Sequence, residues 1–240
     1  MTDAERAPAW DAGLASVPIA PTRPAYRVAK RALDLAGAGI GLVVASPVML
    51  GVALAIRSES GGPVLFRQQR VGLGGRPFQL YKFRTMHASA DEEAHRRYVR
   101  TLIGGEAAGE TGPAAGDAAT AGATWVPIET DPRVTGVGRF LRRTHLDELP
   151  QLLNVLRGEM SLVGPRPPIP YEVELYEPWH LRRLSVVPGL TGLWQVRGWG
   201  RLSFDEGVAL DLVYIEQRSF VGDIGIILRT VWQILTGRQF

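Results

Sequence analysis

The 240-residue sequence predicts an α/β fold of the helix-rich α+β kind, with one apolar helix set into a membrane. Three observations carry that prediction. Leu35 to Ile56 runs without a single charge. Residues 63–86 alternate about a glycine-rich turn, which is the pattern of a β-hairpin. Apolar residues then recur at helical spacing around 146–156, 204–219 and 224–235. The length suits one sizeable domain with appendages. With no cysteine, disulfides and thiolate metal sites are excluded. The formal net charge is only +3, but the basic residues are bunched.

Residues 1–27 are rich in Ala and Pro without a sustained period and read as a disordered tail. The apolar run begins too late for a secretory signal. Residues 28–58 form the membrane element. As one straight helix, Leu35 to Ile56 would rise roughly 33 Å, enough to cross a bilayer core. Two features argue for a re-entrant path instead. Ser46-Pro47 lies near the middle, where proline removes a backbone hydrogen bond, and Ser46 can serve the carbonyl that Pro47 frees. Both flanks are basic, with Arg27, Lys30 and Arg31 before and Arg57, Arg67 and Arg70 after, so the positive-inside rule keeps both ends on the cytosolic face. A true span and a buried soluble helix are the alternatives.

Residues 59–240 are expected to form a cytosolic, mostly helical domain. Pro63 to Val71 and Pro77 to Met86 flank the turn Gly72-Leu73-Gly74-Gly75. Its spacing is that of a turn, not of a phosphate-binding P-loop. Lys82 and Arg84 are two apart and share a face if both lie in a strand. They either meet anionic lipid heads or hold a diphosphate. Ala88 to Leu102 reads as a charged, solvated helix, and residues 104–123 as a flexible Gly/Ala loop. Asp131-Pro132-Arg133 makes a turn.

The stretch Arg142 to Arg166 carries the strongest chemical signal. Asp147 and Glu148 sit beside Arg142 and Arg143, and Leu146, Leu149, Leu153 and Leu156 recur on one helical face. Pro150 is tolerated in a first turn, which places a helix start between Thr144 and Asp147. Such an acid pair ringed by arginines can hold phosphate and a cation together. Equally, Thr144-x-x-Asp147 fits a capping box. Ser161 to Pro168 follows as a proline-stiffened loop presenting Arg166, a suitable anion ligand. Pro188 to Gly192 reads as a tight turn. Two helices close the chain, and the apolar side of the second (Ile227, Val231, Trp232, Ile234, Leu235) suits a core or a membrane surface, with core packing the default. The four histidines show no metal-ligand spacing. The basic stretches lack the aromatic interleaving of a nucleic-acid platform, so no nucleic-acid partner is expected.

Several of these stretches occur in a recognisable order: Phe66-Arg67-Gln68, Tyr81 to Met86, Asp131 to Thr135, Leu146-Asp147-Glu148-Leu149-Pro150-Gln151, Ser161 to Pro167, and Pro188 to Gln195. Together with the Ser46-Pro47 helix, they resemble the bacterial sugar transferases, the monotopic polyprenyl-phosphate phosphoglycosyl transferases, over about residues 28–236. The resemblance is to the small, catalytic-core form. It implies transfer of sugar-1-phosphate from a nucleoside-diphosphate sugar, usually a UDP-sugar, to polyprenyl (undecaprenyl) phosphate. That is the first membrane step of exopolysaccharide, O-antigen or capsule assembly, at the cytosolic face of the bacterial inner membrane. Carried over, Asp147 is the nucleophile and Glu148, with Asp147, holds Mg²⁺. Lys82, Arg84, Arg142 and Arg166 are the candidate phosphate ligands, and a homodimer is compatible with the family. One departure is that Val196 is followed by Arg197-Gly198-Trp199-Gly200-Arg201, and no contact is assigned there. A non-catalytic anchored module that recruits other enzymes is the rival reading.

Overall fold

The computed structural model describes residues 17–87, 133–198 and 202–237, with positions 96, 99, 100 and 103. Most of the expected tail, nearly all of the charged helix at 88–102, the loop at 104–123, Asp131-Pro132 and Arg201 lie outside the described residues.

A single helix, α1 (Pro24–Ser60), organises the rest. One stripe along it, Asp34, Ala38, Leu42, Met49, Val52 and Ile56, faces the body at helical spacing. The opposite face exposes Leu35, Ile40, Val43, Val44, Leu50 and Leu54. Between Val43 and Val48 only Ala45 is even half-buried. The expected break at Ser46-Pro47 is a missing rung rather than an interruption. Helical structure continues through Pro47, and the Ser46 hydroxyl donates to the Val43 carbonyl at 2.8 Å, the acceptor that proline leaves without its amide.

Both ends of α1 are bonded to the same body. Near the start, Arg31 donates to the Val155 and Leu156 carbonyls at 2.8 and 2.9 Å, while Asp34 accepts from the Ser161 hydroxyl and the Leu162 amide, each at 2.9 Å. Near the end, Glu59 accepts from the amides of Gly136 and Val137 at 2.8 and 3.1 Å.

Strands β1 (Leu65–Val71) and β2 (Pro77–Phe83) pair antiparallel as expected, with Phe66 opposite Lys82. Their turn requires the glycines, since Gly74 and Gly75 have φ of 62° and 81°. Helix α2 (Gly136–Thr144) is capped by Thr135, whose Oγ1 accepts from the Gly138 amide at 2.9 Å.

The helix expected to begin at 144–147 is divided differently. Thr144 ends α2 and donates back to the Phe140 carbonyl at 2.9 Å, so it caps nothing downstream. His145 then turns the chain in the left-handed region, with φ 56°. Leu146–Gln151 winds as a 3-10 helix and only Leu152–Arg157 (α3) is α-helical. Pro150 explains the winding, because its ring clashes with the carbonyl four residues back in α geometry.

The expected tight turn at 188–192 contains a strand. β4 (Gly189–Thr191) runs parallel to β3 (Ser161–Val163). The backbones meet so closely that a Cβ on Gly189 would lie 2.0 Å from the Gly164 nitrogen. Helices α4 (Pro170–Val173), α5 (Leu193–Gly198), α6 (Phe204–Gln217) and α7 (Phe220–Thr236) complete the body. In α7 the core expectation fails beyond its first half. Ile226 and Ile227 pack against Val163, Val196, Tyr214 and Ile215, but Val231, Trp232, Ile234 and Leu235 are exposed, although Gln233 among them donates to the Val196 carbonyl at 3.1 Å.

Candidate active site

Asp147 and Glu148 sit in the 3-10 helix between α2 and α3, facing strand β2. Lys82 of β2 donates to Glu148 Oε1 at 2.7 Å. Asp147 is 8% exposed. Burial pushes its carboxyl above the usual aspartate range; Lys82 opposes this, Glu148 adds to it, and His145 and Arg142 also oppose it. Glu148 moves the other way. Burial would raise it, but the charge and hydrogen bond of Lys82, with the charges of Arg166 and His145, hold it below the ordinary glutamate range. Two neighbouring carboxylates driven in opposite directions is the pattern of a site with divided roles.

The structure therefore brings Lys82, Arg142 and Arg166 around the pair, as the sequence suggested. Arg142 is also held by a 3.1 Å bond from its Nε to Thr85 Oγ1. Arg84 is elsewhere. The strand ends at Phe83, so the alternation that would put Arg84 beside Lys82 no longer applies. Its buried guanidinium donates to the Ser60 hydroxyl at 2.7 Å and to the Gly61 carbonyl, closing the C-terminal end of α1.

Two residues that sequence reasoning missed shape the site. Asn154, fully buried in α3, accepts from the Tyr81 amide at 3.2 Å and donates to the Gln79 carbonyl at 2.6 Å. It pairs with the edge of β2 like a one-residue strand and so fixes Lys82 against the acid pair. Its signal in the sequence was only a polar residue among Leu153, Val155 and Leu156. His145 is the second; its left-handed conformation swings the chain from α2 into the acid pair.

The chemistry available is that of a partly desolvated carboxylate beside an ionised one, inside a ring of cations. Among the described residues no three His, Asp or Glu side chains gather as a metal cage. Two hard carboxylates fit a Mg²⁺ ion that takes its other ligands from water and substrate phosphate.

Comparison with known proteins identifies the family. The family model described as bacterial sugar transferase matches residues 25–237. The chain is 43% identical over 222 residues to a UDP-glucose:undecaprenyl-phosphate glucose-1-phosphate transferase of Caulobacter vibrioides, covering 89% of this chain and 72% of that protein. It is 37% identical to the exopolysaccharide production protein ExoY of Rhizobium meliloti, covering 90% of this chain and 89% of the relative. It is 42% identical to the galactosyl transferase CpsE of Streptococcus agalactiae, but spans only 43% of that protein's length.

Proposed function

The chain belongs to the bacterial sugar transferases, and on that premise we propose that it transfers sugar-1-phosphate from a UDP-sugar to undecaprenyl phosphate. The observation that carries the reading is the buried Asp147 carboxylate beside the Lys82–Glu148 pair, with Arg142 and Arg166 contributing positive charge. The names of relatives that act on UDP-glucose and undecaprenyl phosphate supply the donor and acceptor classes.

In this scheme an Asp147 oxygen attacks the sugar-bearing phosphorus. A phosphorus–oxygen bond forms as the bond to the bridging oxygen breaks, and that electron pair leaves on UMP. An oxygen of the lipid phosphate then attacks the same phosphorus and returns the electron pair to Asp147, giving an undecaprenyl-diphosphate sugar. Asp147 reacts only when ionised, and Lys82, His145 and Arg142 offset the burial that disfavours ionisation. Arg166 and Arg142 meet the charge that grows on the phosphoryl oxygens. Glu148, with Asp147, would hold Mg²⁺, which supplies charge neutralisation on the diphosphate.

The same proposal places the protein on the cytosolic face of the inner membrane. A helix whose two ends are bonded to one body cannot carry that body to both sides of a bilayer. The exposed apolar face from Leu35 to Leu54 is then the part set into lipid, with both ends of the helix on one side. Arg27 and Arg57 at its flanks suit anionic headgroups.

The test uses nanodisc-held protein with Mg²⁺, undecaprenyl phosphate and a panel of UDP-sugars, reading UMP release and intact mass. The expected result is acceptor- and Mg²⁺-dependent UMP release with a phosphosugar adduct on Asp147. No release and no adduct with any donor would overturn the reading in favour of a non-catalytic anchored module.

A further inference from the structure

The loop that carries Arg166 cannot set its own path. Residues 163–168 read Val-Gly-Pro-Arg-Pro-Pro, and its prolines donate no hydrogen bond. Its carbonyls are held from outside instead. Val163 accepts from the Tyr214 hydroxyl at 3.1 Å, Pro165 from the Gly189 amide at 2.8 Å, and Pro168 from the Val71 amide at 2.9 Å. The two carbonyls that bracket the Arg166–Pro167 step accept from side chains. Arg183 Nη2 donates to Arg166 O at 3.4 Å, and Arg70 Nη1 donates to Pro167 O at 2.9 Å.

Both donors are guanidiniums sunk into the interior, 3% and 5% exposed. Arg183 is fixed by Asp211 Oδ2 at 2.5 Å and by the Tyr176 hydroxyl at 2.9 Å, and Arg70 by Gln68 Oε1 at 2.7 Å. Filling space does not explain them, because well-packed apolar side chains replace buried ion pairs with no loss of stability in many proteins. Nor is the charge of Arg70 indifferent to Arg166. Burial lowers the Arg70 pKa to about 10, and the charge of Arg166 pushes in the same direction. An anion at Arg166 relieves that repulsion.

We propose that Arg183, anchored by Asp211, and Arg70 are positioning residues that hold the Arg166 backbone so that its guanidinium meets the diphosphate of the donor. The inference rests on reading Arg166 as a phosphate ligand. It adds a second layer of cations that touch no substrate and act through the loop they hold. Arginine is required in both places because each guanidinium bridges the loop to a second partner, which a lysine ammonium cannot do in the same geometry.

A double-mutant cycle tests this on the full chain in nanodiscs, with Arg183→Lys, Arg166→Ala and their combination. Two quantities are read: kcat/KM for the UDP-sugar and the affinity for inorganic pyrophosphate by calorimetry. Arg183→Lys alone is expected to lower both on the order of 10- to 100-fold, the scale of a small misplacement of a binding group. In the Arg166→Ala background the same change is expected to cost nothing further. Equal losses in the two backgrounds, or no loss in the first, would overturn the proposal. Arg70→Lys runs the same cycle if Arg183→Lys does not fold. A wild-type chain that binds pyrophosphate through Arg166 but releases no UMP would sink the transferase reading and leave the positioning role standing. Indifference of both readouts to Arg166→Ala would remove the role of Arg166 and the proposal with it.

Discussion

Two ion pairs in this molecule have nearly the same contact and opposite surroundings. Lys82 meets Glu148 at 2.7 Å with side chains 23% and 28% exposed; Arg183 meets Asp211 at 2.5 Å with side chains 3% and 2% exposed. Beside the first stands another carboxylate, Asp147, that its cation does not satisfy. Beside the second, Arg183 also donates to the Tyr176 hydroxyl and to the Arg166 carbonyl. An open pair with charge left over can take part in chemistry. A closed pair whose bonds are used internally sets shape. Contact distance alone distinguishes nothing; access and residual charge do.

The largest expected effect comes from removing the residual charge. Asp147→Asn should lower UMP release by on the order of 10⁴-fold or more, as loss of a nucleophile does. Its melting temperature should stay the same or rise, because burial penalises the carboxylate it replaces. A fall in melting temperature would make Asp147 structural and erase the contrast. Asp211→Ala should do the reverse. Leaving Arg183 buried without its carboxylate should cost about 3–5 kcal/mol in denaturant unfolding. An unfolding midpoint equal to that of the parent protein would show that the closed pair does not set shape.

Lys82→Met should be intermediate in activity, on the order of 100-fold down, while losing no more than about 1 kcal/mol of stability, since partly exposed pairs contribute little. It should also move the pH profile. Asp147 must be ionised to attack, so kcat/KM should fall as the pH drops through a pKa above the ordinary aspartate value of about 3.9. Lys82 holds that pKa down, so its loss should shift the acidic limb to higher pH. A shift to lower pH would contradict the electrostatics described here. The smallest effect is at the rim: Glu59→Gln weakens the cap of α2 and should cost about 1 kcal/mol without a change in the acidic limb.

Much of the architecture was legible because it rests on local pattern. The hairpin, the apolar helix and both C-terminal helices follow from periodicity and turn residues. The acid pair stood out through the neighbouring arginines and the motifs around it. What could not be read depends on distant pairing or on where a strand ends. Arg84 was placed with Lys82 by strand alternation, yet the strand stops one residue earlier. Asp211 is 28 residues from Arg183, and nothing in either neighbourhood marks the other. Asn154 looks like an ordinary polar residue on a short helix until its amide meets the edge of β2. The parallel pairing of β3 with β4 likewise needs two segments that no local signal joins.

The bonds that tie down α1 also impose an order of events during synthesis. Lys30 finds Asp223 after 193 further residues, and Asp34 finds Ser161 after 127. At roughly 5–20 residues per second, Lys30 waits on the order of 10–40 s for its partner. The partners of Arg31 and Asp34 at residues 155–162 come well before Asp223, so the surfaces that receive the polar side chains of the apolar helix are completed one after another. The first helix made is thus among the last to be completed, and whatever shelters it in the meantime must release one face of it to the body that folds later.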